Sequence, residues 1–306
     1  ALCDGATILR LGKVVGSCDP REKSARELAE MMVGTELATP AARAHELGEV
    51  ALKITALSAA SPNPFGTSLK NISLEIRQGE VLGIGGVAGN GQDELLAALS
   101  GELLTTPEAV QFKNAPVGHL GPNARRKLGL LAAPEERLGH AAAPEMSLVE
   151  NAALSGWVRK DMVSRNFISW GKARAFADEI IAGFDVRTPG SANPARSLSG
   201  GNLQKFVIGR EILQAPEVLV VNQPTWGVDA SAAAAIRQAL LDLAAGGAAV
   251  LVISQDLDEL MEVASRFAAL NEGKLSAPRP THDLTIDEIG LMMGGAHGME
   301  VAHDPA

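Results

Sequence analysis

Three short, uninterrupted apolar segments constrain the fold of this chain more than any other feature. They are VLGIG at residues 81–85, VLVV within EVLVVNQP at 217–224, and AAVLVIS at 248–254. Segments of four to eight residues that are apolar throughout are typical of strands buried on both faces in a parallel sheet. The last two are separated by a helical stretch, SAAAAIRQALLDLAAG, as in a strand–helix–strand unit. The sequence therefore predicts an α/β fold with a parallel sheet core.

Other segments predict two additions to this core. ALKITALS and LKNISLEIRQG alternate apolar and polar residues, which is typical of antiparallel strands with one face buried. SLVENAALSGW and WGKARAFADEIIAGF have helical apolar spacing, and the loop RTPGSANPAR follows them. We therefore expect two half-buried strands beside the parallel core and a helical insertion at about residues 140–195.

Composition excludes some functional classes. The 306 residues are 46% hydrophobic and 21% charged, as in an ordinary globular protein. The formal net charge of −9 disfavours a nucleic-acid partner, because phosphate backbones attract basic surfaces. Cys3 and Cys18 fit no metal spacing, so a reducing compartment is expected. The apolar runs are too short to span a bilayer.

A glycine-rich loop follows the first apolar segment. Gly86, Gly89 and Gly91 are spaced G-x-x-G-x-G between a predicted strand and a predicted helix, as in loops that wrap phosphates. The next two positions of such loops carry Lys and Ser or Thr, whereas this chain has Gln92 and Asp93. The loop has therefore lost the positive charge and the hydroxyl that bind phosphate and Mg²⁺.

A dinucleotide-binding fold is an alternative interpretation of these glycines. Residues 83–88, GIGGVA, also fit G-x-G-x-x-A. That fold requires a second strand ending in an acid, but Glu102 follows the predicted helix directly. It also leaves the stretch LSGGN at 198–202 unexplained.

LSGGN precedes a predicted helix. Ser199 lies where an N-cap is expected, and Gly200 and Gly201 allow a ligand to approach the backbone closely. The free N–H groups of a helix N-terminus suit an anion, although an ordinary capped helix with no ligand would have the same sequence pattern. Two later apolar strands run into polar residues, one into Asn222 and Gln223 and the other into Gln255.

Taken in order, these stretches resemble the ATP-binding-cassette (ABC) ATPases: phosphate loop, helical insertion, LSGG signature, Walker B strand, D-loop and switch strand. The resemblance covers about residues 49–275. Within that family, PEERLGHAAAPEMSLVENAAL resembles the Q-loop region of the second cassette in fused two-cassette importers of sugars and nucleosides. GNGQ and FDVRTPG are most similar to the purine nucleoside branch, which is associated with basic membrane proteins.

The resemblance implies an α/β fold in which a P-loop NTPase core carries an antiparallel β subdomain and an inserted helical subdomain. It also implies that the chain's own nucleotide site is degenerate. Asn222 and Gln223 stand where the family has a Mg²⁺-binding Asp and a catalytic Glu, and Gln255 stands where it has a His. Amides keep size and hydrogen bonding but accept no proton. With Gln92 and Asp93, these positions leave no intact catalytic group and no metal site.

The resemblance also implies three sets of binding residues. A weak site of the chain's own would use Gly86, Gly89, Asn90, Gly91, Gln92 and Asp93. The signature, Ser199, Gly200, Gly201 and Asn202, would face ATP held by another cassette, and the D-loop residue Asp229 would cross the same interface. Pro134, Glu135, Glu136 and Arg137 would contact membrane permeases, or else form a solvated charged turn.

The two ends of the chain repeat one another. GKVVGSCDPREKSARELAEMMVG (12–34) matches GKLSAPRPTHDLTIDEIGLMMGG (273–295) without gaps at an offset of 261 residues. We expect residues 1–48 to be the end of a preceding ABC domain plus a linker. The core would span 49–139 and 197–275 around the helical subdomain at 140–196, and residues 276–306 would form a helix and a mobile tail.

These expectations define a function. The chain would be the second cassette of an importer for nucleosides or simple sugars, peripheral on the cytoplasmic side of the membrane. ATP and Mg²⁺ would bind mainly in a composite site with the first cassette of the same polypeptide, and this fragment alone would show negligible ATP hydrolysis. Permease subunits and, indirectly, a substrate-binding lipoprotein would be partners. The alternatives are a non-catalytic nucleotide-binding or scaffold module, and a soluble tandem ABC protein unconnected with transport.

Four side-chain environments are also predicted. Phe65 lies where an adenine-stacking aromatic would fall, but simple packing is favoured for it. Trp226 is expected to pack beside the D-loop. Asp256, Asp258 and Glu259 are expected to form the solvated first turn of a helix. The six His residues, at 45, 119, 140, 282, 297 and 303, have no metal spacing.

Overall fold

The computed structural model describes residues 3–10, 12–34, 41 and 46–295. Its helices are α1 Ala25–Val33, α2 Gln92–Ser100, α3 Pro122–Leu128, α4 Leu148–Gly156, α5 Trp170–Gly183, α6 Gly200–Ile212, α7 Ala230–Ala245, α8 Leu257–Val263 and α9 Ile286–Met293. Its strands are β1 Ala6–Arg10, β2 Lys13–Cys18, β3 Val50–Ala59, β4 Leu69–Arg77, β5 Val81–Gly85, β6 Val110–Phe112, β7 Ala115–Pro116, β8 Leu130–Ala133, β9 Val163–Ser164, β10 Phe167–Ile168, β11 Val218–Asn222, β12 Ala249–Ser254, β13 Arg266–Asn271, β14 Lys274–Leu275 and β15 Arg279–Pro280.

The three apolar segments form the centre of a parallel sheet, as predicted. β8, β11, β12, β5 and β13 pair in that order, all parallel, and β14 and β15 pair antiparallel to β13. β5, β11 and β12 are buried along their whole length. The predicted strand–helix–strand unit is confirmed: it consists of β11, α7 and β12.

Side chains alternate between the two faces of this sheet and build two cores. Val218 and Val220 face α2 and a four-stranded antiparallel sheet ordered β4-β3-β6-β7. Leu219 and Val221 face the other side, where α4, α5, α6, α7 and α8 contribute buried residues. α2 therefore lies between the two sheets. After α2 the chain enters the antiparallel sheet, so the strand that a dinucleotide fold requires directly after that helix is absent from this described stretch.

The predicted helical insertion is present. α4 begins with a capping box in which Ser147 accepts from the Glu150 backbone and Glu150 accepts from the Ser147 backbone. α4 and α5 pack together, and the short hairpin of β9 and β10 lies between them along the chain. α6, which carries the LSGG stretch at its start, packs against both α4 and α5.

The two repeated ends have the same local geometry. β1 and β2 form an antiparallel hairpin followed by α1, as β13 and β14 do before α9. Both helices begin with capping boxes, Ser24 with Glu27 and Thr285 with Glu288. Gly12 and Gly273 turn the two hairpins with φ values of 77° and 75°, which only glycine adopts readily. The repeat is therefore structural as well as sequential.

Some predictions fall on residues outside the described ranges. They include most of the linker at 35–48, the mobile tail at 296–306, and His45, His297 and His303.

Candidate functional site

The carboxyl ends of the parallel strands bring the altered residues together. Because β5, β11 and β12 are adjacent and parallel, the glycine loop after Gly85 lies beside Asn222 and beside the end of β12 at Ser254. Open α/β sheets bind ligands at this edge.

Gln92 bonds to the glycine loop that precedes it. Its Nε2 donates to the carbonyl oxygen of Val87 at 2.9 Å, and its Oε1 accepts from the backbone N–H of Asn90 at 3.0 Å. The side chain is buried. A loop N–H that would point at a phosphate is therefore satisfied from within the chain.

Asn90 ties the same loop to the turn between β13 and β14. Its Oδ1 accepts from the N–H of Glu272 at 2.8 Å, and its carbonyl oxygen accepts from the N–H of Gly273 at 3.0 Å. Gly86, at the start of the loop, lies against β13: a Cβ atom at this position would be 2.5 Å from the Leu270 carbonyl oxygen. The loop is thus fixed in position without a ligand.

Asp93 lies in the first turn of α2, and its Oδ1 accepts from Nδ2 of Asn222 at 3.1 Å. Burial is the largest influence on Asp93, and with the nearby charge of Glu94 it raises the pKa of the carboxyl above its ordinary value. The next acid, Glu94, is buried and accepts from Ser61 Oγ at 2.7 Å and from the Thr67 N–H at 3.1 Å. Glu94 thereby anchors the loop between β3 and β4.

The two amides after β11 differ from Gln255 in exposure. Asn222 and Gln223 are buried. Gln223 has a positive φ of 52°, and its N–H donates to the Ile253 carbonyl oxygen at 2.8 Å. Gln255 lies just past the end of β12 with its side chain exposed. These amides can donate and accept hydrogen bonds, but they carry no negative charge to balance a metal ion and they do not act as bases.

A cavity of about 520 Å³ opens beside Asp93. It is lined by Asp93, Leu96, Pro134, Glu135, Glu136, Arg137, His140 and Trp226. Burial, and then the charge of Asp93, raises the pKa of Glu135. Among the described residues, no group of three or more His, Cys, Asp or Glu side chains is placed to hold a metal ion. The cavity is rich in carboxylates and therefore a poor match for a triphosphate.

Arg137 does not stand in a simple solvated turn. Its Nη2 donates to the Trp226 carbonyl oxygen at 2.7 Å, and its guanidinium lies against Gly200 and Gly227. Arg137 thereby links the 134–137 segment to both the signature and the segment before the D-loop.

The signature is exposed. Ser199 caps α6 by accepting from the Asn202 N–H, and Ser199 and Gly200 are both exposed. Asp229 caps α7 by accepting from the Ala232 N–H at 2.9 Å and is also exposed. Ser199, Gly201, Asn202 and Asp229 line one cavity of about 600 Å³, which Leu9 and Arg10 of β1 also border. The helix N-terminus of α6 is therefore open to a ligand.

Three of the predicted environments are wrong. Phe65 is 97% exposed, because the loop that carries it offers no surface to pack against, and only its backbone is held, through its N–H to Asn63 Oδ1. Trp226 is 61% exposed, and its contact with Arg137 runs through its carbonyl oxygen. Glu259 is buried at 1% exposure rather than solvated.

The sequence analysis placed Glu259 in solvent and missed its role in joining two segments of the site. Its carboxylate accepts from Thr225 Oγ1 and from Ser254 Oγ, each at 2.7 Å. Burial raises its pKa, although both hydroxyls oppose that shift. Glu259 thus ties the segment after β11 to the end of β12. The hydroxyls at the two strand ends are the one signal that could have indicated a buried acid nearby.

Comparison with known proteins decides the family. The sequence profile of the ABC transporter family matches residues 69–226, just over half of the chain. The chain belongs to the ABC transporter family. Its parallel core, antiparallel β subdomain and helical insertion are those of an ABC ATPase, and ATP is the nucleotide that this class of domain binds.

Similar structures agree with this fold. The dimeric, post-hydrolysis structure of an ATP-binding cassette bound to ADP and Pi matches with a TM-score of 0.63 at 22% identity, over 75% of this chain and 98% of that one. The ATP-binding subunit of an ABC transporter matches with a TM-score of 0.61 at 19% identity, over 79% and 94%. At identities of 19% and 22%, these two matches show that the fold is similar.

Relatives of the ABC chain include import ATP-binding proteins. It is 33% identical over 296 residues to the guanosine import ATP-binding protein NupO of Bacillus subtilis, covering 96% of this chain and 58% of NupO. It is 35% identical over 298 residues to the glucose import ATP-binding protein TsgD13 of Haloferax volcanii, covering 96% and 54%. The nucleoside import ATP-binding protein NupA of Lactococcus lactis is 33% identical, over 97% and 59%. The ABC chain thus spans little more than half the length of these relatives.

Proposed function

We propose that this chain is the second cassette of an ATP-driven importer for nucleosides or simple sugars. Its own nucleotide site is degenerate, and its signature completes the ATP site of a preceding cassette in the same polypeptide. ATP and Mg²⁺ bind in that composite site. Permease subunits hold the protein at the cytoplasmic side of the membrane, and a substrate-binding lipoprotein delivers the cargo. No nucleic acid takes part.

One contrast carries this proposal. The signature at the start of α6 is exposed, with its helix N-terminus open, while the chain's own glycine loop is closed by Gln92 and bordered by the acidic cavity. A half-site that offers N–H groups and a hydroxyl can still stabilise phosphate charge on a neighbour. The loop followed by Gln92 and Asp93 has no cation to do so for itself.

The structural repeat supports a preceding cassette. Leu270 in β13 is fully buried in the core that α2 and the antiparallel sheet share with the parallel sheet, whereas Leu9, its equivalent in β1, is 60% exposed. Met32 and Val14 are exposed as well. The hairpin of β1 and β2 and helix α1 therefore present a face that in a complete cassette would be covered by the rest of the core.

Two observations support the importer role. The relatives named for import of guanosine, nucleosides and glucose each align with nearly all of this chain. The cavity beside Pro134, Glu135, Glu136 and Arg137 provides a polar surface where a permease segment can dock. Among the helices that the structure describes, none is long and apolar enough to cross a bilayer.

The test compares substitutions in the complete protein. Ser199→Arg, which fills the signature with a bulky cation, abolishes ATP turnover, whereas Gln92→Ala changes it little. Ser197→Arg is the matched control, because Ser197 is equally exposed two residues earlier. The 306-residue chain alone hydrolyses ATP negligibly. Equal losses from Ser199→Arg and Gln92→Ala, or normal hydrolysis by the chain alone, would overturn the proposal.

A non-catalytic scaffold is the remaining alternative. It predicts that Ser199→Arg leaves turnover of the complete protein unchanged while permease subunits still co-purify. A tandem ABC protein unconnected with transport predicts turnover that depends on Ser199 without any co-purifying permease.

A further inference from the structure

The hydroxyl of Ser199 receives two hydrogen bonds from one residue. The backbone N–H of Asn202 donates to Ser199 Oγ at 3.4 Å, and Nδ2 of the same Asn donates to it at 2.9 Å. A serine oxygen has two lone pairs, and both are then occupied. The hydroxyl proton must therefore be donated to a group other than Asn202.

The orientation of the Asn202 amide is fixed by a third contact. The backbone N–H of Arg187 donates to Asn202 Oδ1 at 2.8 Å. An N–H can donate only to the oxygen of an amide, so the NH₂ group must face Ser199. Arg187 thereby determines the direction in which the amide acts.

Capping alone does not require this arrangement. A helix N-cap serine needs only the bond from a backbone N–H two or three residues later. Here the side-chain bond at 2.9 Å is the shorter of the two, and it adds nothing to the satisfaction of the backbone. Its effect falls on the Ser199 proton, at an exposed site on the first turn of a 13-residue helix.

We propose that Asn202 is a positioning residue that holds Ser199 as a hydrogen-bond donor toward the terminal phosphate of ATP in the composite site. Asn202 does not itself touch the phosphate. This inference rests on the proposed function, since the phosphate belongs to nucleotide bound by the preceding cassette. A donor that is already oriented needs no reorganisation when charge develops on the phosphate oxygens.

The test is a double-mutant cycle on ATP hydrolysis by the complete protein. Ser199→Ala removes the donor and lowers kcat by about 100-fold, the usual effect of losing one such donor. Asn202→Leu keeps the side-chain size but removes the orienting NH₂ group. It lowers kcat by about tenfold and changes KM by less than about threefold, because the loss falls on the transition state. In the Ser199→Ala background, Asn202→Leu has no further effect.

Asn202→Asp provides a second cycle if the leucine variant folds poorly. An ionised Asp accepts from the Arg187 N–H and also from the Ser199 hydroxyl, so it turns the proton inward. Asn202→Asp therefore lowers kcat by a larger factor in the wild type than in the Ser199→Ala variant. Asn193→Asp, which places the same charge in the preceding loop, is the control, and Asn202→Gln restores part of the activity.

The outcomes separate the two proposals. If Ser199→Ala leaves kcat unchanged, the signature does not serve a composite site and the proposed function fails. Suppose that Ser199→Ala lowers kcat. If Asn202→Leu then lowers kcat by the same factor in the Ser199→Ala background as in the wild type, or does not lower it in the wild type at all, Asn202 does not act through Ser199. Thermal unfolding of the 306-residue chain checks that each variant folds.

Discussion

Asn222 donates a hydrogen bond from Nδ2 to Oδ1 of Asp93, and this bond joins the end of β11 to the first turn of α2. Here an amide and a carboxylate make the connection directly. The edge of the sheet is therefore closed by the chain's own side chains.

Asp93→Asn stabilises the chain at neutral pH. Burial and Glu94 raise the pKa of Asp93, so the folded state binds its proton more tightly than the unfolded state does. The favourable contribution is complete below the ordinary pKa of 3.8 and is lost as the pH rises through the folded value. Asn keeps the acceptor for Asn222 and never ionises. We expect Tm to rise at pH 7.5 on the order of 1–2 °C, since Asp93 remains exposed to solvent and water screens its charge.

The pH dependence of that gain distinguishes its cause. At pH 4.5 the difference between Asp93→Asn and the wild type shrinks, because Asp93 then carries its proton more often. Asp258→Asn is the control, since Asp258 is an exposed acid in the first turn of α8. A gain of the same size at both pH values would point to packing rather than to ionisation.

Arg125→Met destabilises the chain by about 3 kcal/mol or more, as expected when buried acceptors lose their donor. Arg125 is fully buried, and its guanidinium donates to the carbonyl oxygens of Ala98, Leu99, Gly118 and Leu120. Two of these carbonyls belong to the last turn of α2, where a helix leaves acceptors unsatisfied. Burial lowers the pKa of Arg125 to about 10, so it stays charged at neutral pH.

Urea unfolding measures this loss. Lys127→Met is the matched control, because Lys127 is an exposed cation two residues later, and it changes the free energy of unfolding by no more than about 0.5 kcal/mol. Arg125→Lys recovers only a part, since one ammonium cannot reach four carbonyls. If Arg125→Lys were as stable as the wild type, the positive charge alone would stabilise the fold, and the several N–H donors of the guanidinium would not be needed.

The sequence predicted the elements better than their contacts. β5, β11 and β12 were recognisable because burial on both faces demands continuous apolar side chains. Phe65 and Glu259 were placed wrongly, because their environments depend on the path of a loop and on a hydroxyl 34 residues away. The pattern of substitutions at Gln92 and Asn222 predicted altered chemistry, but the bonds that these side chains make required the fold.

Glu211→Gln destabilises the chain by about 3–5 kcal/mol, the usual cost of breaking a buried ion pair. Glu211 is fully buried on α6, where Arg126 and Arg210 both pair with it. Burial opposes its ionisation most strongly, but the two guanidinium charges hold its pKa below the ordinary value. Ser155 of α4 also donates to it, so Glu211 connects the signature helix to the helical insertion. Gln would leave Arg210 buried without a balancing charge.

The comparison for this variant is a surface pair. Glu217 pairs with Lys113 where both side chains are more than 40% exposed, and Glu217→Gln should cost less than about 1 kcal/mol. Because the pKa of Glu211 is lowered in the folded state, its contribution is present above its ordinary pKa of 4.5 and is lost as the pH falls. Urea unfolding should therefore show a smaller loss for Glu211→Gln at pH 4 than at pH 7. Equal losses for the two Glu variants at pH 7 would mean that solvent screens the Glu211 cluster as effectively as it screens the surface pair.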